Sequence, residues 1–171
     1  MQHYEGDTVS AFKRTLVGLA IAAALGASAV QAQVSDSVIK IGVLSDMSSL
    51  YADLDGAGSV AAAQMAVEDF GAAAKGMKVE IISADHQNKP DVASSVARQW
   101  FDVDKVDMIT GTTNSGVALA VSQVTKDKGK AFIVSGAASS DLTGKACTPN
   151  AIHWTYDTWM LANGTGNAIV K

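Results

Sequence analysis

The chain has 171 residues, a hydrophobic fraction of 48% and a formal net charge of −4. This apolar content excludes an intrinsically disordered chain and favours a packed globular domain. Nucleic-acid binding requires a basic surface that neutralises phosphates, so the acidic balance argues against a nucleic-acid partner.

The first 32 residues have the features of an export signal. Lys13 and Arg14 form a basic region, and the uncharged segment 16–29 that follows consists mostly of Ala, Leu, Ile and Val. This apolar segment is shorter than the ~20 residues that a membrane-spanning helix needs. Small residues at 30–32 predict cleavage before Gln33. Removing residues 1–32 takes away two basic and two acidic residues, so the mature net charge is also −4.

Strand-like and helix-like segments alternate along the mature chain. The strands, rich in β-branched residues, are predicted at 37–45, 78–85, 108–110, 131–135 and, more weakly, 152–155. Apolar residues at helical spacing predict helices at 59–74, at 90–101, from the turn at 111–115 to about 128, and at 158–171. Ser59 is expected to cap the first helix and Gly76 to end it. The expected inward-facing residues are Val60, Ala63, Val67 and Phe70, then Val92, Val96, Ala97 and Trp100, then Val117, Ala120, Val121 and Val124.

This alternation predicts an α/β fold, a doubly wound parallel sheet with helices on both faces. Right-handed crossovers place the carboxyl ends of all strands at one edge. The loops after strands one, three and four, which are rich in hydroxyl groups and poor in charge, would then face one crevice. Ser115 begins a helix there, where its hydroxyl either caps the helix or helps to bind an anion. The cap is the simpler interpretation of Ser115 alone, but three such loops at one edge favour a ligand site.

Five segments have an order and spacing typical of one family: 39–45, 62–70, 83–91, 111–115 and 134–143. On these segments the chain resembles the type I periplasmic solute-binding proteins of branched-chain amino acid ABC transporters. The resemblance covers essentially the whole mature chain. It implies a flavodoxin-like strand order, a periplasmic location, no enzymatic activity and no cofactor. It also implies delivery of a small carboxylate, either an amino acid or an aromatic or aliphatic acid, to a permease in the inner membrane.

The resemblance also implies the ligand-binding residues. The serine of the turn after the third strand holds the ligand carboxylate, groups after the fourth strand add hydrogen bonds, and an aromatic side chain from the first loop covers the ligand. The matching positions are Ser115, Asn114, Ala137, Ala138, Ser139 and Tyr51.

Proteins of this family have two lobes, and each needs ~100–150 residues. The expected organisation is therefore a partial ligand-binding lobe at 33–155, followed at 156–171 by a crossover and the start of a truncated second lobe. The lone cysteine, Cys147, is then expected to pair within the missing part. Three aromatic residues near the crossover either line a pocket for an aromatic ligand or pack against one another: Trp154, Tyr156 and Trp159.

Two other functions compete with this hypothesis. The segment 56–61 fits the G-x-G-x-x-A pattern of dinucleotide-binding domains, but such glycines must follow their strand immediately, and here ten residues intervene. A hydrolase could use Ser115 as a nucleophile, although residues 113–117 do not form a G-x-S-x-G elbow. The candidate bases are His86, in a polar turn, and His153, which is expected to be a hydrogen-bonded structural histidine. No Cys/His spacing indicates a metal site.

Overall fold

The computed structural model describes residues 37–170, so the predicted export signal lies outside the described residues. The strands are β1 Val38–Ser45, β2 Lys78–Asp85, β3 Met108–Gly111, β4 Ala131–Val134 and β5 Ala151–His153. The helices are α1 Gly56–Phe70, α2 Pro90–Asp102, α3 Ser115–Lys128 and α4 Thr158–Val170, with short 3-10 turns at Ala73–Lys75 and Ser140–Leu142. All five strands pair in parallel, in the order β2-β1-β3-β4-β5, which confirms the predicted α/β fold.

The strand register brings the functional loops to one edge of the sheet. The last residue of β1, Ser45, pairs with Asp85 at the end of β2. Gly111, which ends β3, pairs with Leu44 on one side and with Val134, the end of β4, on the other. The loops that follow β1, β3 and β4 therefore start side by side, as the sequence predicted.

The main core lies between the sheet and the paired helices α2 and α3. Helix α2 approaches β1 closely at Gly42, where an added Cβ atom would lie 2.4 Å from the Trp100 ring. Of the predicted inward residues on these helices, Ala97, Trp100, Val117, Val121 and Val124 are buried. Val92, Val96 and Ala120 were also predicted to face inward, but they are only half-buried. The two helices, which pack against each other, instead bury Ala93, Phe101 and Ala118 in the core.

Helix α1 differs from its prediction in both bounds and burial. It begins at Gly56 rather than at Ser59 and ends at Phe70, where Gly71 adopts φ +66° as the C-cap, while Gly76 ends only the 3-10 turn. Its predicted inward face is at best half-buried, and Phe70 is 52% exposed. The reason is that α1 lies over β1 and β2 only. An apolar groove of about 810 Å³ stays open along this face of the sheet.

Helix α4 projects from the lobe and buries none of its residues. It is attached at its start, where the Thr158 N–H donates to the Ala138 carbonyl at 2.7 Å and the Thr158 hydroxyl lies 2.8 Å from that of Ser140. Within residues 37–170, no helix combines the length and the apolar character required to cross a membrane.

Candidate functional site

The turn after β3 presents the start of helix α3 to the sheet edge. Asn114 is the N-cap, since its Oδ1 accepts the Val117 N–H at 3.0 Å and its Nδ2 donates to Asn88 Oδ1 at 2.6 Å. The alternative interpretation of Ser115 as the helix cap is therefore wrong, because Asn114 precedes it and occupies that role. Ser115 is the first helical residue, and among the described residues nothing hydrogen-bonds its hydroxyl. The N–H groups of Ser115 and Gly116, in the first turn, also have no intrahelical acceptor.

The turn after β4 lies against the turn after β3. Gly136 packs so closely that an added Cβ would lie 2.9 Å from Thr113 Oγ1. Ala137 is buried, and its N–H donates to the Thr112 carbonyl at 3.0 Å. Its own carbonyl accepts from His153 Nε2 at 2.6 Å, which confirms the structural role predicted for His153.

Two further predicted ligand residues in this loop, Ala138 and Ser139, already make hydrogen bonds within the protein. The Ala138 carbonyl accepts the first N–H of α4, and the Ser139 hydroxyl accepts the Asp141 N–H at 3.3 Å, capping a 3-10 turn. Both residues are half-buried. The groups of these two residues that are free to donate to a ligand carboxylate are the Ala138 N–H and the Ser139 hydroxyl proton.

The loop after β1 is wound around the buried carboxylate of Asp46. This carboxylate accepts from the N–H and hydroxyl of Ser49 at 2.9 and 2.6 Å, from the Tyr51 N–H at 2.9 Å and from the Ser48 N–H at 3.4 Å. Burial raises the pKa of Asp46, but these hydrogen bonds outweigh it and hold the pKa below its ordinary value. The hydrogen bond from its N–H to Asp46 thereby fixes the backbone of the half-buried Tyr51.

A second carboxylate attaches the same loop to β2. Asp85 accepts the N–H groups of Met47 at 2.9 Å and Gln87 at 2.7 Å, and also the Ser48 hydroxyl. Burial raises its pKa and the carboxylate of Asp46 does so slightly, yet the hydrogen bonds lower it further, so the net shift is downward. Asp46 and Asp85 are thus ionised at neutral pH, and their hydrogen bonds stabilise the loop rather than bind a ligand.

A small cavity of about 200 Å³ joins the loops that follow β1, β3, β4 and β5. Its lining residues are Leu54, Asp55, Ser59, Thr113, Ser135, Gly136, Thr155 and Tyr156. Of the three aromatic candidates for a pocket, Tyr156 lines this cavity and Trp154 lines the apolar groove along the sheet, whereas Trp159 lines neither, and all three are exposed. None of the six predicted ligand residues lines this cavity, although Asn114 and Ala137 directly follow two that do. Sequence reasoning did not name the hydroxyl residues among them as ligand contacts, although three of these residues, Thr113, Ser135 and Thr155, lie within two positions of the end of a strand.

The competing sites do not form. Gly58, in the glycine-rich segment, lies inside α1 with open space around it, so these glycines build no phosphate-binding turn after β1. Ser115 has no hydrogen-bonded base, and His86 Nδ1 instead accepts the Asn88 N–H at 3.0 Å. In the part of the chain that the structure describes, no group of three His, Cys, Asp or Glu side chains could hold a metal ion.

These features define one lobe of an α/β binding protein, with hydroxyl and N–H groups gathered at the carboxyl edge of a parallel sheet. The family described as periplasmic binding protein matches residues 38–171, and the chain belongs to that family. Proteins of this family bind solutes and are not enzymes.

Solved structures show the same similarity. The chain is 48% identical to a periplasmic binding protein of Burkholderia mallei, with a TM-score of 0.75 over 78% of this chain and 36% of that chain. It is 44% identical to a branched chain amino acid ABC transporter periplasmic ligand-binding protein of Burkholderia xenovorans LB400. The TM-score is 0.72, and the match covers 77% of this chain and 35% of that chain. A solute-binding protein of an R. palustris ABC transporter, in complex with benzoate, is 26% identical, with a TM-score of 0.71 over 78% and 37%. The chain thus spans little more than a third of these relatives. No protein with a curated description matches it.

Proposed function

We propose that this protein is the solute-binding component of an ABC transporter, that it binds a small carboxylate in the periplasm, and that it delivers this ligand to an inner-membrane permease. The observation that supports the ligand site is the start of α3, where Asn114 caps the helix and leaves the Ser115 hydroxyl and the N–H groups of Ser115 and Gly116 free. A helix N-terminus favours an anion through its dipole and its unpaired N–H groups.

The neighbouring loops support a ligand that is recognised by hydrogen bonds. No lysine or arginine lines the cavity beside this helix start within the described residues, and four of its lining side chains carry an aliphatic hydroxyl. Relatives of this chain include a benzoate complex and a branched-chain amino acid transporter component. Benzoate and isoleucine are therefore the two ligands to test first. In this proposal Ser115 binds the carboxylate, Tyr51 covers the ligand and residues 137–139 contribute N–H and hydroxyl groups.

The first experiment is a thermal screen of the full-length protein with benzoate and isoleucine. A ligand that binds only the folded state raises the melting temperature with its concentration. An upward shift with either compound supports the proposed class of ligand. No shift with any amino acid or aromatic acid would contradict it.

The second experiment is Ser115→Ala, studied by calorimetric titration. Loss of a charge-assisted hydrogen bond, about 1.5–3 kcal/mol, should weaken binding roughly ten- to a hundredfold. Stability should change little, because Asn114 is the cap. The matched control is Asn114→Ala, which removes the cap and should cost ~1 kcal/mol of unfolding free energy. Unchanged affinity in Ser115→Ala would remove this residue from the site.

A further inference from the structure

His86 is a fully buried histidine that the binding site described above does not use. The sequence placed it in a polar turn, but the structure buries it completely at the end of β2. Its Nδ1 accepts the Asn88 N–H at 3.0 Å, so the neutral ring carries its proton on Nε2. Among the described residues, two buried side-chain atoms have no hydrogen-bond partner: His86 Nε2 and Asp55 Oδ2. One is a donor and the other an acceptor, and buried polar groups of this kind normally find partners.

Three carboxylates act on the buried His86 ring. Burial lowers the pKa of His86, while the carboxylates of Asp55, Asp46 and Asp85 raise it, in that order of strength, and burial prevails. Asp55 is thus the carboxylate that acts most strongly on the ring. Towards the start of α3, the side chains in the hydrogen-bond chain are the uncharged amides of Asn88 and Asn114. The charged residues of the adjoining first turn of α2, 89 and 91, are exposed.

A continuous set of hydrogen bonds connects His86 to the start of α3. The ring accepts from Asn88, the Asn88 side chain accepts from Asn114 at 2.6 Å, and Asn114 caps α3 beside Ser115. Asp55 is the carboxylate that acts most strongly on the ring, and its Oδ1 accepts the hydroxyls of Ser45 at 3.1 Å and Ser59 at 2.7 Å while its Oδ2 has no partner. Asp55 ends the loop that carries Tyr51.

We propose that neutral His86 is a positioning residue for the ligand site. It donates from Nε2 to Asp55 through one enclosed water and accepts from the Asn88 N–H, and its protonation displaces the turn that carries Ser115. This inference rests on the proposed function only in taking Ser115 as a ligand contact. The His86 ring then joins the two loops that carry Ser115 and Tyr51, and it makes the site sensitive to acid.

The effect of protonation follows from the geometry. A proton taken from solvent binds at Nδ1, where the lone pair now receives the Asn88 N–H. Two N–H groups would then face each other, so Asn88 must move away and its hydrogen bond with Asn114 is lost. The bond to Asp55 would instead be strengthened by the positive charge. Acid therefore loosens the Ser115 side of the site and not the Asp55 side.

The first test needs no ligand. The full-length protein is labelled with ¹⁵N and titrated by NMR from about pH 8 downward across the histidine range. We expect His86 to carry its proton on Nε2 at neutral pH, and the amide signals of Asn88 and Ser115 to shift with the same midpoint as the ring. The proposal would be overturned if the neutral ring carried its proton on Nδ1, or if the amide signals of Asn88 and Ser115 did not shift with the titration of the ring.

The second test measures affinity for benzoate and isoleucine across the same titration. In the wild type, affinity should fall about tenfold as His86 becomes protonated, the effect of one lost hydrogen bond. The variant His86→Asn keeps an acceptor in the position of Nδ1 but does not titrate, so it should retain affinity at neutral pH and lose the acid sensitivity. The variant His86→Leu has no acceptor and should bind about tenfold more weakly at neutral pH.

The outcomes of the two tests are separable. If neither compound binds the wild type at any pH, the proposed ligand class fails, while the NMR titration still decides the role of His86. If a compound binds and His86→Asn retains the pH dependence of the wild type, His86 is not the group responsible. Circular dichroism of each variant establishes that it is folded under the conditions of the titration.

Discussion

Asp46 shows how a single buried residue shapes the candidate site. Its carboxylate accepts four hydrogen bonds from the loop that carries Tyr51. In Asp46→Asn an NH₂ group would replace one acceptor oxygen and face a backbone donor, either the N–H groups of Ser48 and Ser49 at Oδ1 or the Tyr51 N–H at Oδ2. We expect a loss of about 1–3 kcal/mol of unfolding free energy in urea melts. The control is Asp53→Asn, an exposed residue in the same loop, which should stay within ~0.5 kcal/mol of the wild type. Equal effects of the two substitutions would argue against this role of Asp46.

At the scale of elements, the contact between α2 and β1 requires the absence of a side chain at Gly42. A Cβ there would lie 2.4 Å from the ring of Trp100, which is only 5% exposed and cannot easily move aside. Gly42→Ala should therefore overpack the core and cost about 1–3 kcal/mol. Gly58→Ala is the matched control, because nothing lies within 4 Å of its Cβ position in α1. It should stabilise the helix by roughly 0.5–1 kcal/mol. Opposite signs in denaturant melts would support this packing, and a neutral Gly42→Ala would refute it.

For the whole molecule, the buried ionisable groups predict a stability that decreases towards acid pH. The folded-state pKa values of Asp46 and Asp85 are lowered, so their contribution is present above the ordinary pKa of about 3.9 and is lost as pH falls through the lowered values. The pKa of His86 is also lowered, so the unfolded chain takes up a proton first as pH falls below about 6.5. Both effects lower the free energy of unfolding as pH falls. Urea melts from about pH 8 to about pH 2 should show a decrease that starts below about pH 6.5 with His86 and continues below about pH 4 with the two aspartates, and His86→Asn should remove the upper part. A stability maximum in mildly acidic solution would contradict these assignments.

The sequence by itself determined the element types, the parallel sheet and the edge at which the loops meet. These follow from local periodicity, from the alternation of strands and helices and from the handedness of crossovers. The prediction for β2 matches the observed Lys78–Asp85, and His153, within an apolar strand, was expected to be structural. Membership of the family was also visible, because the order of five segments along the chain carries it.

Only the tertiary structure decided how the site is held together. Asn114 rather than Ser115 caps α3, partly because Asn88, 26 positions earlier in the chain, accepts its amide. His86 is fully buried at the end of β2, where its N–H donates to the Ser45 carbonyl at the end of β1, and no local sequence pattern predicts this burial. Helix α1 leaves its predicted inward face uncovered because its place over β1 and β2 depends on the arrangement of the sheet and not on its own periodicity. Local sequence determines the spacing of apolar residues and the presence of residues that can cap a helix. Burial and hydrogen-bond partners, in contrast, depend on residues that are distant in the chain.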